Sequence, residues 1–142
     1  MIERLLSCAI LSRVGLILDS EYNEILDTLF IKMPENDLLL ELEFASSDTN
    51  KAISIILLYC EEYNVDYSVF GFFLMEGLKK AYSNLSIEIF AVKAYELWKT
   101  LPSPIQRVEP FFAMCYADDP LSWGYIEQTK ELYEKMFRFY DK

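Results

Sequence analysis

Apolar positions recur along this chain at helical intervals. Between residues 20 and 32, Tyr22, Ile25, Leu26, Leu29 and Phe30 fall at i, i+3, i+4, i+7 and i+8, which is one face of a helix. Asp19 or Ser20 suits its start, and Pro34 ends it by pushing the residue before it out of helical geometry. Upstream, the stretch from Leu5 to Leu18 is interrupted by Ser7, Ser12 and Arg13 and reads as a buried first helix, too short to span a bilayer. Leu38 to Ala45 predicts a third helix, with Glu35 and Asp37 near its positive N-terminal pole. Ser47-Asp48-Thr49-Asn50 is a stop-and-start signal, and the following helix over 49–63 places Ile53, Ile56, Leu57 and Cys60 on one side. The segment near 67–83 carries Val69, Phe70, Phe72, Phe73, Leu74, Met75 and Leu78, and a helix apolar nearly all round is expected to be central. Gly71 and Gly77 within it permit close packing.

The second half follows the same grammar. Ser86 caps a helix through about Thr100, with Ile87, Phe90, Ala91, Ala94, Trp98 and Leu101 as its apolar stripe. Pro102 ends that helix, and Ser103-Pro104-Ile105-Gln106 predicts a new one: a serine cap, proline at the first helical position, and glutamine three residues after the cap. Pro110 should kink or stop it. Asp119-Pro120 opens the last helix, whose inner side is expected to hold Tyr125, Thr129, Leu132, Met136 and Tyr140. Glu131–Lys135 and Glu134–Arg138 are spaced to support it as ion pairs. The pattern predicts an all-α fold: about eight antiparallel helices in a single domain over 1–142, either a bundle or a short solenoid-like stack. No self-similar sequence at a period near 36 supports a true repeat protein.

Composition agrees with a packed core, since 53% of the 142 residues are hydrophobic and 15% aromatic, while four glycines and five prolines leave few punctuated turns. Charge changes the picture more. Residues 35–76 hold nine acids against one base, Lys51, and so account for −8 of the net −10. Such a field favours a basic partner and disfavours nucleic acid or an anionic bilayer. Cys8, Cys60 and Cys115 are scattered, lack metal spacing, and read as buried thiols in a reduced cytoplasm.

The chain contains no histidine, which removes the commonest catalytic base and metal ligand. No P-loop or dinucleotide-binding glycine motif is present. The adjacent acids Glu61-Glu62 read as a solvated face, because neighbours on a helix point in different directions, and Asp118-Asp119 reads as a helix cap beside Pro120. The expectation is therefore a protein without enzymatic activity, metal or cofactor. Two clusters stand out as candidate contacts: Glu61, Glu62, Tyr63, Asp66 and Tyr67 about one turn, and Asp118, Asp119 and Trp123 about another. Tyrosine and tryptophan are enriched at interfaces, and acids steer a basic partner. The plainer reading, aromatics as core and acids as solubilising surface, stays open beside it.

The helix Leu38-Leu39-Leu40-Glu41-Leu42 and the stretch from Trp98 to Asp118 carry a resemblance. In that stretch Trp98, Pro102, Pro104-Ile105-Gln106-Arg107-Val108-Glu109 and Tyr116-Ala117-Asp118 are similar to an uncharacterised family of small helical bacterial proteins, in which a tryptophan, a proline turn, a hydrophobic-Glu pair and a Tyr-Ala-Asp segment follow in order. Through these segments, about half of its length, the chain resembles the acidic, helical immunity proteins of bacterial contact-dependent growth inhibition systems. That resemblance implies a cytoplasmic protein, monomeric or weakly dimeric when free, whose partner is a cognate toxin with a basic surface, often a nuclease. The alternatives are a non-catalytic helical adaptor and, more remotely, a carboxylate-based hydrolase.

Overall fold

The computed structural model describes residues 1–45 and 48–141; Ser47 of the predicted stop-and-start signal lies outside them. Every regular element among the described residues is helical, so the fold is all-α. The α-helices are α1 (Ile2–Arg13), α2 (Asp19–Lys32), α3 (Asp37–Phe44), α4 (Thr49–Tyr63), α5 (Tyr67–Asn84), α6 (Ile87–Lys99), α7 (Ser103–Gln106), α8 (Asp119–Ser122) and α9 (Ile126–Phe137), with 3₁₀ turns at Phe111–Cys115 and Arg138–Tyr140. The chain forms two compact units, Met1–Gly77 and Leu78–Lys142.

In the first unit α1 packs on α2 and α4, and α3 packs on the same two helices, which closes a ring of four. Leu5, Leu6, Ile10, Leu26, Leu39 and Ile56 fill its centre and are fully buried. Burial of each such side chain is worth about 1.5–3 kcal/mol, so the ring is held by its interior. Helix starts are capped where short polar side chains stand: Asn36 accepts a hydrogen bond from the Leu39 amide at 3.1 Å and Asp48 one from the Lys51 amide at 3.0 Å. The start of α2 departs from expectation. Leu18 holds the cap position and no side chain caps it, because the Asp19 carboxylate instead accepts from the Ser12 hydroxyl. Leu57, expected on the inner side of α4, is exposed. On α5, Phe70, Leu74, Met75 and Leu78 are buried while Val69 and Phe72 face out, so that helix is one-sided rather than wholly enclosed.

The second unit gathers α6, the 3₁₀ turn at Phe111–Cys115 and α9. An aromatic cluster forms its core: the Phe90 and Tyr133 rings meet edge to face at 4.9 Å, and Tyr82 lies 5.1 Å from Phe137. Ser86 caps α6 as expected, accepting from the Ile89 amide at 3.3 Å. The predicted capping box at Ser103 does not form; α7 is a single turn with Pro102 at its cap position. Gln106 works backwards instead. Its amide donates to the Trp98 and Lys99 carbonyls at 3.1 and 3.3 Å, and its own carbonyl accepts from the Trp98 indole at 2.7 Å. The glutamine thus adds a side-chain donor to the carbonyls that end α6.

Asp119-Pro120 opens only the one-turn α8, and α9 starts afresh at Ile126 after Gly124 turns with φ +87°. The buried face of α9 is accordingly Thr129, Tyr133, Met136 and Phe137, a register offset from the predicted stripe; Tyr125 is exposed. Thr129 is buried, as its spacing predicts, and its hydroxyl accepts from the Leu121 amide at 3.0 Å. Glu134 accepts from the Tyr82 hydroxyl at 3.3 Å, and the ion pair on this helix among the described residues joins Lys130 to Glu127.

Candidate functional site

The first predicted cluster lies at the C-terminal end of α4. Glu61, Glu62 and Tyr63 form its last turn, and all three are exposed. Asn64 then leaves the helix with left-handed backbone (φ 51°). A helix C-terminus carries the negative pole of the backbone dipole, and this one has no base in its last turn. The two carboxylates therefore stand where the helix itself disfavours them. No ion pair neutralises either among the described residues. The Tyr63 ring stacks on Tyr59 at 5.7 Å, and the Tyr59 hydroxyl donates to Glu41 of α3 at 3.3 Å.

Asp66 and Tyr67 are engaged locally. The Asp66 carboxylate accepts from the Ser68 and Val69 amides at 2.9 and 3.4 Å, which caps the start of α5, and its own amide donates to Glu3 at 3.0 Å. Burial raises the Glu3 carboxyl, but the Asp66 amide and nearby positive charge outweigh it and hold the group below its ordinary value. Tyr67 is half-buried with its ring edge-on to Phe70.

The second predicted cluster lies in the other unit, around α8. Asp119 and Trp123 are exposed, and the indole of Trp123 is 75% accessible. Asp118 holds the cap position of α8, but its side chain makes no capping hydrogen bond, contrary to the sequence reading. One of its oxygens, Oδ1, is buried without a hydrogen-bond partner, as is the Tyr133 hydroxyl. Burial, helped by neighbouring Asp119, raises the Asp118 carboxyl; burial and then the Asp118 charge push Tyr133 far above the ordinary phenol range. The Tyr116 hydroxyl donates to Glu109 at 3.1 Å, which joins the hydrophobic-Glu pair to the Tyr-Ala-Asp segment.

Little else in either unit invites chemistry. A cavity of about 320 Å³ lies between Glu109, Tyr116 and Lys135 over a floor of Ala113, Met136 and Phe139. Among the described residues no group of three or more cysteines, aspartates or glutamates is arranged to hold a metal. The three thiols are free and half-buried rather than fully enclosed; burial pushes all of them up, Cys60 to about 11, which keeps them protonated and weakly nucleophilic. The net charge is confined to one unit: residues 1–77 hold fourteen acids against four bases, and residues 78–142 hold nine of each. What the geometry offers is thus an acidic helical unit with aromatic groups at its surface, and a neutral unit presenting one bare tryptophan. No family model matches the chain, and comparison with curated proteins and with solved structures likewise finds no match.

Proposed function

We propose that this chain is an immunity protein: it binds a cognate toxin with a basic surface, a nuclease domain, and neutralises it by covering that surface in the cytoplasm of the producing cell. The observation that carries the reading is the last turn of α4. Glu61 and Glu62 oppose the dipole of their own helix, lack a basic neighbour in that turn, and stand beside exposed Tyr63. Carboxylates so placed cost the fold stability and gain only when a cation arrives from outside. Glu61, Glu62 and Tyr63 are the first contacts, with Asp119 and Trp123 as a separate pair; Asp66 and Tyr67 serve the fold. The resemblance of the chain to helical, acidic immunity proteins points the same way.

A charge-driven interface of this kind has a kinetic signature. The double variant E61K/E62K should slow association and flatten its salt dependence, while the free protein keeps its stability or gains about 0.3–1 kcal/mol per site. Stopped-flow binding and urea denaturation measure the two effects. The primary experiment is calorimetry of the chain against the C-terminal domain of the protein encoded immediately upstream, which the proposal expects to be the toxin, at low and moderate salt. Tight one-to-one binding that weakens with salt supports the proposal, and absence of binding overturns it. An adaptor is the second reading, favoured by Leu58, whose side chain is 76% exposed in the same last turns of α4. Binding to a partner that is indifferent to salt would favour it.

A further inference from the structure

The outer face of α3 is not accounted for by the contacts named above. Leu38, Leu39 and Leu42 turn inward and are fully buried. The opposite positions, Asp37, Leu40, Glu41 and Phe44, follow one another at i, i+3, i+4 and i+7, and all four are exposed. Phe44 is 84% accessible, the most exposed of the large apolar side chains. The hydrogen bond from Tyr59 to Glu41, and the stacking of Tyr59 on Tyr63, join this face to the end of α4. One surface therefore combines apolar groups (Leu40, Phe44), carboxylates (Asp37, Glu41) and stacked phenol rings.

We infer that this α3–α4 face is the seat of a cationic amphipathic helix presented by the partner, with lysine or arginine flanking a large apolar side chain. The inference rests on the proposed function, in that the partner is a basic protein. Charge decides between occupants. A second copy of this chain would bring like carboxylates against Asp37 and Glu41, which is unfavourable. Nucleic acid and anionic bilayers are repelled by the same charges. A cationic helix satisfies both parts of the surface. Its basic groups meet Asp37 and Glu41 and can lie over the Tyr59 and Tyr63 rings, while its apolar side chains cover Phe44 and Leu40. Large aromatic side chains, phenylalanine among them, are enriched at interfaces.

The test uses a synthetic 18-residue helical peptide with a leucine–phenylalanine stripe flanked by lysine and arginine, and a scrambled peptide of the same composition as control. Titration into isotope-labelled protein at 150 mM salt is followed by amide chemical shifts and by fluorescence anisotropy. Shifts should concentrate on residues 37–44 and 59–63, and the scrambled peptide should bind at least about tenfold more weakly. F44A and D37N/E41Q should each lose about tenfold in affinity, while V92A on α6 loses none; all four positions are exposed, and circular dichroism checks that the helices remain. Equal binding of the scrambled peptide, shifts spread over the whole acidic unit, no binding, or an undiminished F44A would each overturn the inference. The same variants against the upstream toxin domain separate the two ideas. Tight toxin binding indifferent to F44A and D37N/E41Q defeats the face and leaves the proposed function standing, whereas a toxin that does not bind at all defeats the proposed function whatever the peptide does.

Discussion

Gly77 shows how closely a single position can be constrained. A Cβ placed there would run into the Leu11 side chain, which is itself buried and has little room to withdraw. Overpacking of this kind costs about 1–3 kcal/mol, against about 1 kcal/mol of helix propensity regained by alanine. Gly77→Ala should therefore destabilise by about 1 kcal/mol in urea denaturation, and a gain would show that α1 and α5 are not in close contact there. Asp118 makes the opposite kind of statement. Its carboxyl is raised in the folded state, so the stability it contributes is present below its unfolded value and is lost as pH rises through the folded one. Asp118→Asn should shift the urea midpoint upward at pH 7, and the two proteins should converge on acidification as the wild-type group takes up its proton. A variant weaker at pH 7 would mean that the charged form is held by a partner. Glycine inside an apolar helix marked the close approach in the sequence; Asp118 was marked there as a cap and a candidate contact but not as a buried carboxyl, because burial is set by packing between distant segments.

At the scale of elements, cap residues make the clearest division. Asp48 and Ser86 accept hydrogen bonds from the third residue beyond them, whereas Ser103 caps nothing. Alanine at Asp48 or Ser86 should cost about 1 kcal/mol each and alanine at Ser103 close to nothing, as read by thermal unfolding of the three variants. Equal losses at all three would show that α7 is capped after all. Helix positions were legible because amphipathic periodicity and prolines set them locally. The registers that failed share a cause. In α9 the apolar set Tyr125, Thr129, Leu132, Met136 and Tyr140 competes with Thr129, Tyr133, Met136 and Phe137, both at intervals a helix allows, and packing against Phe90 and Tyr82 selects between them. The spacing of Gln106 fits a start signal, but the carbonyls its side chain reaches belong to the helix just ended.

At the scale of the whole molecule, charge and architecture divide along the same line. The first unit carries all of the net −10 and the second carries none. Like charges held in a compact unit repel, and salt screens them over a Debye length of about 10 Å at 0.1 M. Raising sodium chloride from 10 to 500 mM should therefore increase the urea midpoint of the free protein; a midpoint that falls would mean that attractive pairs dominate instead. The acidic block itself was legible in the sequence, since it needs only counting. Which of its members are free to act was not. Asp66 is adjacent in sequence to the exposed turn yet is consumed by a cap, and Phe44 sits in a run of leucines yet faces out. The Asp66 cap is a local signal, an aspartate directly before a helix start, whereas the outward turn of Phe44 is set by how α3 packs on α2 and α4, which no local pattern records.

The two indoles of the second unit sit in opposite surroundings: Trp98 is bonded to the Gln106 carbonyl, and Trp123 stands open to water. The protein therefore carries two optical channels of its own. Trp123 should emit at the red edge and be quenched by iodide, while the half-enclosed Trp98 should emit further to the blue and be shielded. Collisional quenching resolves them without any label, so an occupant covering α8 and a loosening at the end of α6 would be told apart in a single cuvette.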